Sequence, residues 1–117
     1  MKIEGQGELL RIFVGESDQW HGKPLHEAIL LAAREQGLAG ATVSRCLAGF
    51  GANSHIHTVK VLRLSEDLPI VVEIVDQPDR IASFLPTLDE MVTEGLVTLE
   101  KVNVLIYRHN AGSATGG

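Results

Sequence analysis

The sequence predicts an α+β fold of the ferredoxin-like kind, a split β-α-β antiparallel sheet with two helices on one face. Three observations predict it. Extended patterns near residues 9–14, 41–47, 68–75 and 96–108 are separated, in the first and last gaps, by helical spacing. Each helical stretch opens at a proline and closes at a glycine, Pro24 with Gly37 and Pro78 with Gly95. The 117 residues are 44% hydrophobic but only 4% aromatic, enough for one core built from aliphatic side chains. A single domain is expected over residues 1–109, with the small, polar stretch 110–117 as a flexible tail.

The first strand, residues 9–14, sets Leu9, Arg11 and Phe13 on one face and Leu10, Ile12 and Val14 on the other. Residues 15–22 are polar and read as a loop. Pro24 suits the first position of a helix, where its missing N–H costs nothing, and Leu25, Ala28, Ile29 and Ala32 then form one apolar stripe. Gly37 suits a left-handed helix end.

Residues 41–47 read as the second strand and run into an excursion too glycine-rich to stay regular. The chain becomes extended again over 55–64, with a turn at Ser65-Glu66-Asp67. Residues 68–75 are apolar on both faces except at Glu73, so this strand is expected to be central, with Arg11 or Lys60 as the partner of a buried Glu73. The second helix buries Ile81, Phe84, Leu85, Leu88 and Val92, and Pro86 is expected to kink or divide it. Residues 96–108 return to strand. With both helices on one sheet face, the other still carries apolar residues, which predicts packing between subunits.

The formal net charge is −5 and no basic stripe is present, which excludes phosphate-directed nucleic-acid binding. Cys46, the single cysteine, fits a reducing compartment. Residues 1–13 are broken by Lys2, Glu4, Glu8 and Arg11 and hold no signal-peptide core, and no apolar run reaches the ~20 residues of a bilayer span. A cytoplasmic chain without membrane insertion is expected.

The candidate site residues follow from local chemistry. Gly49-Phe50-Gly51 lets the backbone approach a ligand closely and present N–H groups to a phosphate, or else marks a bend where a strand leaves the sheet. It lacks the third glycine of a dinucleotide fingerprint. His21 and Lys23 precede a helix N-terminus and can meet an anion there, or be a solvated loop. Arg45 can face the same cleft as Gly49 or pair with a carboxylate. His55 and His57 share one side of an extended segment, a spacing able to hold a metal with Cys46, His21 or His26, though polar strand histidines have the same spacing. The loop acids Glu16, Asp18, Glu66 and Asp67 read as solubilising charge. Ser44 and Ser54 lack a nucleophile elbow and Cys46 lacks a C-x-x-C partner, so no enzyme is expected.

Several segments together carry a family likeness: His21-Gly22-Lys23-Pro24-Leu25, Gly37-Leu38-Ala39-Gly40-Ala41-Thr42-Val43 and Gly49-Phe50-Gly51, with residues 57–61, 64–69 and 72–76. As a set these resemble the DUF-190 group of PII-like proteins, over nearly the whole chain up to Tyr107. The resemblance implies a ferredoxin-like homotrimer holding a small ligand, an adenine nucleotide (ATP, ADP or AMP), in clefts between subunits. It implies a loop at 47–64 that touches a target protein such as a membrane transporter or channel, and it places basic residues such as Arg108 near the phosphates. A metal-binding trimer similar to the CutA copper-tolerance proteins, using His55 and His57, is the alternative.

Overall fold

The computed structural model describes residues 5–49, 57–58 and 68–108. Phe50, Gly51, His55, Lys60, the turn expected at 65–67 and the tail at 110–117 lie outside the described residues, as does most of the 47–64 loop. In chain order the elements are β1 (Gly5–Gly15), β2 (Gln19–Trp20), β3 (Lys23–Pro24), α1 (Leu25–Glu35), β4 (Thr42–Arg45) and β5 (Ala48–Gly49). There follow β6 (His57–Thr58), β7 (Pro69–Asp76), α2 (Pro78–Met91) and β8 (Leu96–Val104).

The four long strands form one sheet in the order β4-β7-β1-β8, and every neighbouring pair is antiparallel. β1 and β4 therefore run parallel with β7 between them, and β7 and β8 run parallel with β1 between them. α1 and α2 make these two interlocked crossovers, which is the ferredoxin-like arrangement.

The pleat decides what each strand buries. Leu10, Ile12 and Val14 of β1 and Ile70, Val72 and Ile74 of β7 point to the helices and are buried. Leu25, Ala28, Ile29 and Ala33 of α1 and Ile81, Phe84, Leu88 and Met91 of α2 close over them. Each of the Val, Leu, Ile, Phe and Met side chains among them contributes about 1.5–3 kcal/mol by leaving water. On the other face Leu9, Arg11 and Phe13 lie beside Val71, Glu73 and Val75, and no helix among the described residues covers them.

Several expectations shift. Pro24 is not in the helix: it pairs with Gln19 in an extended conformation, and α1 starts at Leu25, whose N–H donates to the Asp18 carbonyl at 2.7 Å. Ala33 rather than Ala32 completes the buried stripe, with Ala32 at its margin. α2 is not divided at Pro86. Its buried residues lie on the opposite side, and Ala82, whose carbonyl loses an N–H partner, is exposed with Pro86. Leu85 sits at the helix margin, more than a third exposed, and Met91 is buried instead.

The last strand ends at Val104, whose ladder partner on β1 is Gly5, at φ +80. β4 is likewise shorter than 41–47. Ala48 and Gly49, expected to be irregular, pair with Thr58 and His57. Gly37 has the left-handed φ expected of it, +79.

Candidate functional site

The expected site residues fall at the two opposite ends of the sheet. At the end where β1 finishes, β2 and β3 make a hairpin through His21 and Gly22. Both have positive φ, +50 and +81, as a two-residue connection of the I′ kind requires. The His21 ring stacks on Trp20 with centroids 4.2 Å apart and planes 16° from parallel. His21 and Lys23 are exposed on this hairpin. The following helix start offers little to an anion: the Leu25 N–H is taken by Asp18, and Glu27 already places a carboxylate in the first turn.

Arg45 takes the pairing role of its two readings. Its Nε lies 2.8 Å from Glu16 Oε2, tying β4 to the loop after β1. Glu16 and Asp18 are therefore structural and not merely solubilising, since Asp18 Oδ2 also accepts the Gly15 N–H at 2.9 Å. Gly49 follows on this end, in β5 opposite His57.

Arg108 lies elsewhere, in the irregular segment beyond β8, next to Tyr107. There a cleft of about 650 Å³ opens on the uncovered face of the sheet. Leu9, Val75, Val104 and Ile106 give it apolar walls, residues 39–42 form one side, and Tyr107 stands at another. Among the described lining residues Glu73 is the one charged group. Its Oε2 accepts a hydrogen bond from Arg11 Nε at 2.8 Å, and Arg11 Nη1 reaches Glu100 Oε1, also at 2.8 Å. The Glu73 bond above all, and the Glu100 charge, raise the Arg11 pKa, while burial acts the other way. Glu73 is half-exposed on this face, not buried, and its partner is Arg11.

Residues 37–39 are held firmly beside the cleft. Asp76, fully buried, accepts the Ala39 N–H at 2.8 Å through Oδ2 and the Gln77 N–H at 2.7 Å through Oδ1. Arg80 Nη1 donates to the Gly37 carbonyl. The Tyr107 hydroxyl donates to the Ala39 carbonyl at 3.3 Å. Asp76, Thr42 and Tyr107 were not singled out by sequence reasoning. Thr42 and Asp76 entered only within the segments 37–43 and 72–76, read for their likeness and not for their chemistry, and Tyr107 only as the end of that likeness.

One chain thus does not bring Arg108 together with His21, Lys23, Arg45 and Gly49. Among the described residues no group of three or more His, Cys, Asp and Glu side chains could hold a metal ion, so the CutA-like reading gains no support. No helix among the described residues is long and apolar enough to cross a membrane.

Comparison with known proteins gives a consistent picture. The DUF190 family, described as Uncharacterized ACR, matches residues 7–104. A UPF0166 protein of Aquifex aeolicus is 43% identical over 98 residues, covering 84% of this chain and 92% of that protein. One from Methanocaldococcus jannaschii is 29% identical over 100 residues, covering 85% and 92%. Among solved structures, the fold is similar to CPII, a nitrogen regulatory PII-like protein from Thiomonas intermedia K12 bound to ADP, AMP and bicarbonate. That likeness has a TM-score of 0.58 at 16% identity, covering 85% of this chain and 88% of that one. The Bacillus subtilis GlnK–ATP complex is similar at a TM-score of 0.51 and 14% identity, covering 86% and 84%. At these identities the two structures speak for the fold alone.

Proposed function

The chain belongs to the DUF190 family, and from that premise and its PII-like fold we propose that it is a regulatory protein binding an adenine nucleotide (ATP, ADP or AMP) in clefts between subunits of a homotrimer. It binds its ligand without turning it over, and reports occupancy through the 47–64 loop to a protein partner such as a membrane transporter or channel, from the cytoplasmic side.

The cleft beside residues 39–42 carries this reading. Its apolar walls, the nearby Thr42 and the open backbone at Gly40 suit a planar heterocycle with a few polar edges. A phosphate needs cations, and the one charge among the described lining residues is Glu73, already paired with Arg11. Arg108 follows Tyr107 directly, whereas Lys23 and Arg45 stand at the far end of the sheet. A second copy can supply what one chain keeps apart. The uncovered sheet face, the exposed Leu96, Val97 and Leu99 of edge strand β8, and Leu105 and Ile106 beyond it offer surface for that copy. The nucleotides bound to CPII and GlnK are consistent with this assignment of ligand class.

Thermal denaturation of the purified protein with ATP, ADP and AMP, followed by calorimetry, tests the reading. A ligand at a hundredfold excess over its Kd stabilises the native state by about 2.7 kcal/mol. A saturable rise in melting point, reduced in Arg108→Ala and in Lys23→Ala, is expected. Silence with all three nucleotides overturns the assignment of ligand. Undiminished binding in both variants overturns the shared site.

A further inference from the structure

α1 carries apolar residues on two sides. Leu25, Ala28, Ile29 and Ala33 face the sheet and are buried. On the opposite side of the helix stand Glu27, Leu30, Leu31 and Arg34, at the i, i+3, i+4, i+7 spacing that lines side chains along one face. Leu31 is 47% exposed, Leu30 is partly buried, and Glu27 and Arg34 are exposed. A helix that meets only solvent on this side carries polar residues there. A carboxylate in the first turn and a guanidinium in the last suit the helix dipole, but the dipole gives no reason for two leucines between them. Neither charged side chain has an ion-pair partner among the described residues, unlike Arg11, Arg45 and Arg80. Seven residues apart, they stand about 10.5 Å from each other along the axis, too far to pair within one helix. Between α1 and residues 38–41 a hollow of about 420 Å³ opens, and all four residues of the stripe line it.

We propose that this stripe is a contact for a second copy of the chain, with two α1 helices packed antiparallel about a twofold axis that passes between Leu30 and Leu31. The order Glu27, Leu30, Leu31, Arg34 reads the same from either end except that the charge changes sign. An antiparallel copy therefore sets its Arg34 against Glu27 and its Glu27 against Arg34, while each leucine meets its counterpart at the centre. A twofold contact has to be self-complementary, and this stripe is. It follows the helix axis for two turns, which suits the shallow crossing of heptad-spaced helices, and the hollow beside it leaves room for a facing leucine. α1 lies on the other side of the sheet from Leu9, Arg11 and Phe13, so one chain can pair through α1 and through its sheet face at once. The pairing depends on neither the nucleotide nor the trimer. Residues 39–41 line both the hollow and the ligand cleft, so the second copy rests against the back of the cleft wall. A contact through one helix of 11 residues is small, so it is weak between single chains and grows with concentration.

Sedimentation equilibrium of the full chain from about 1 μM to about 1 mM tests the pairing, with Glu27→Arg, Arg34→Glu and Leu31→Lys alongside. All three positions are exposed, and thermal denaturation checks that each variant folds. The unaltered chain is expected to show a doubling of mass with concentration, and each variant to weaken that step about tenfold or more. Assembly through the sheet face persists in all three. Glu27→Arg chains present only cations on the stripe and Arg34→Glu chains only anions, so neither pairs with itself. An equimolar mixture of the two is expected to pair again, a rescue that misfolding cannot mimic. A doubling step that the three variants leave untouched overturns the proposal, and so does a mixture that fails to pair. An unaltered chain without a doubling step overturns it as well, and leaves the stripe to a different protein.

Discussion

Arg11 and Glu73 face each other across the β1–β7 ladder, guanidinium Nε to carboxylate Oε2 at 2.8 Å, in the middle of the sheet face opposite α1 and α2. Glu100 closes the row from β8, so one cation is shared by two carboxylates on three adjacent strands. On a face destined for water this arrangement stabilises little, because exposed ion pairs are screened. On a face that packs against another copy it neutralises charge that would otherwise be dehydrated alone.

Replacing the shared cation tests that difference. Arg11→Met leaves Glu73 and Glu100 facing each other with no counter-charge. Self-association is expected to weaken by about tenfold or more, while the fold of each chain persists. Sedimentation across a concentration series reads the change, and an unaltered assembly would place this face outside the interface. The pH sign follows from the direction of the Arg11 shift. Its pKa is raised on folding, so its contribution is fully present below the unfolded value and is lost only at higher pH, through the folded one. Titration of Arg11 therefore adds no slope to stability between about pH 6 and pH 9.

Asp76 has a different kind of importance. Both of its oxygens accept backbone N–H groups, and the side chain is fully buried. Asp76→Ala leaves the Ala39 and Gln77 donors without partners and is expected to cost about 2–4 kcal/mol, read as a lower urea midpoint. A loss under about 0.5 kcal/mol would mean that water replaces the carboxylate freely.

Two glycines should behave oppositely. At Gly95 the φ is +152 and an added Cβ would sit 2.6 Å from the Phe13 carbonyl oxygen, so Gly95→Ala is expected to destabilise by about 2 kcal/mol or more. At Gly40 nothing lies within 4 Å of the added atom, and Gly40→Ala should leave the melting point nearly unchanged. Because Gly40 lines the cleft, Gly40→Val should weaken nucleotide binding without unfolding the chain. Denaturation and calorimetry on the three variants separate fold from site.

Pro86 sits inside a helix that does not break for it. Pro86→Ala restores an N–H to the Ala82 carbonyl at an exposed position, and a gain of about 1–2 kcal/mol in thermal unfolding is expected. No gain would indicate that the proline's restriction of the unfolded chain offsets the missing bond.

Local chemistry made the fold legible and left the site partly hidden. Leu10, Ile12 and Val14, or Ile81, Phe84 and Leu88, announce their buried face by spacing alone, since burial follows the strand and helix periods. The exact ends of elements depended on distant partners: β8 ends at Val104, opposite Gly5 of β1, and Pro24 joins a hairpin with Gln19 while Asp18 takes the next N–H. The cleft was harder still. Leu9, Gly40, Val104 and Tyr107 meet only once β1, β4 and β8 are assembled, and no spacing in one segment encodes that meeting. Arg45 was ambiguous for the same reason, because Glu16 is its neighbour only through β7.

The order of strands also bears on how the chain comes to fold. β1, made early, lies between two strands made late, and Arg11 meets its carboxylate partners 62 and 89 residues further along. The first strand therefore has no ladder to join until most of the chain has been synthesised. Closing loops of that length before any sheet pairing is rewarded makes for slow, non-local folding. Until β8 arrives, the apolar edge of β1 is open, so nascent chains halted before Leu96 should be the ones that chaperones retain and proteases remove.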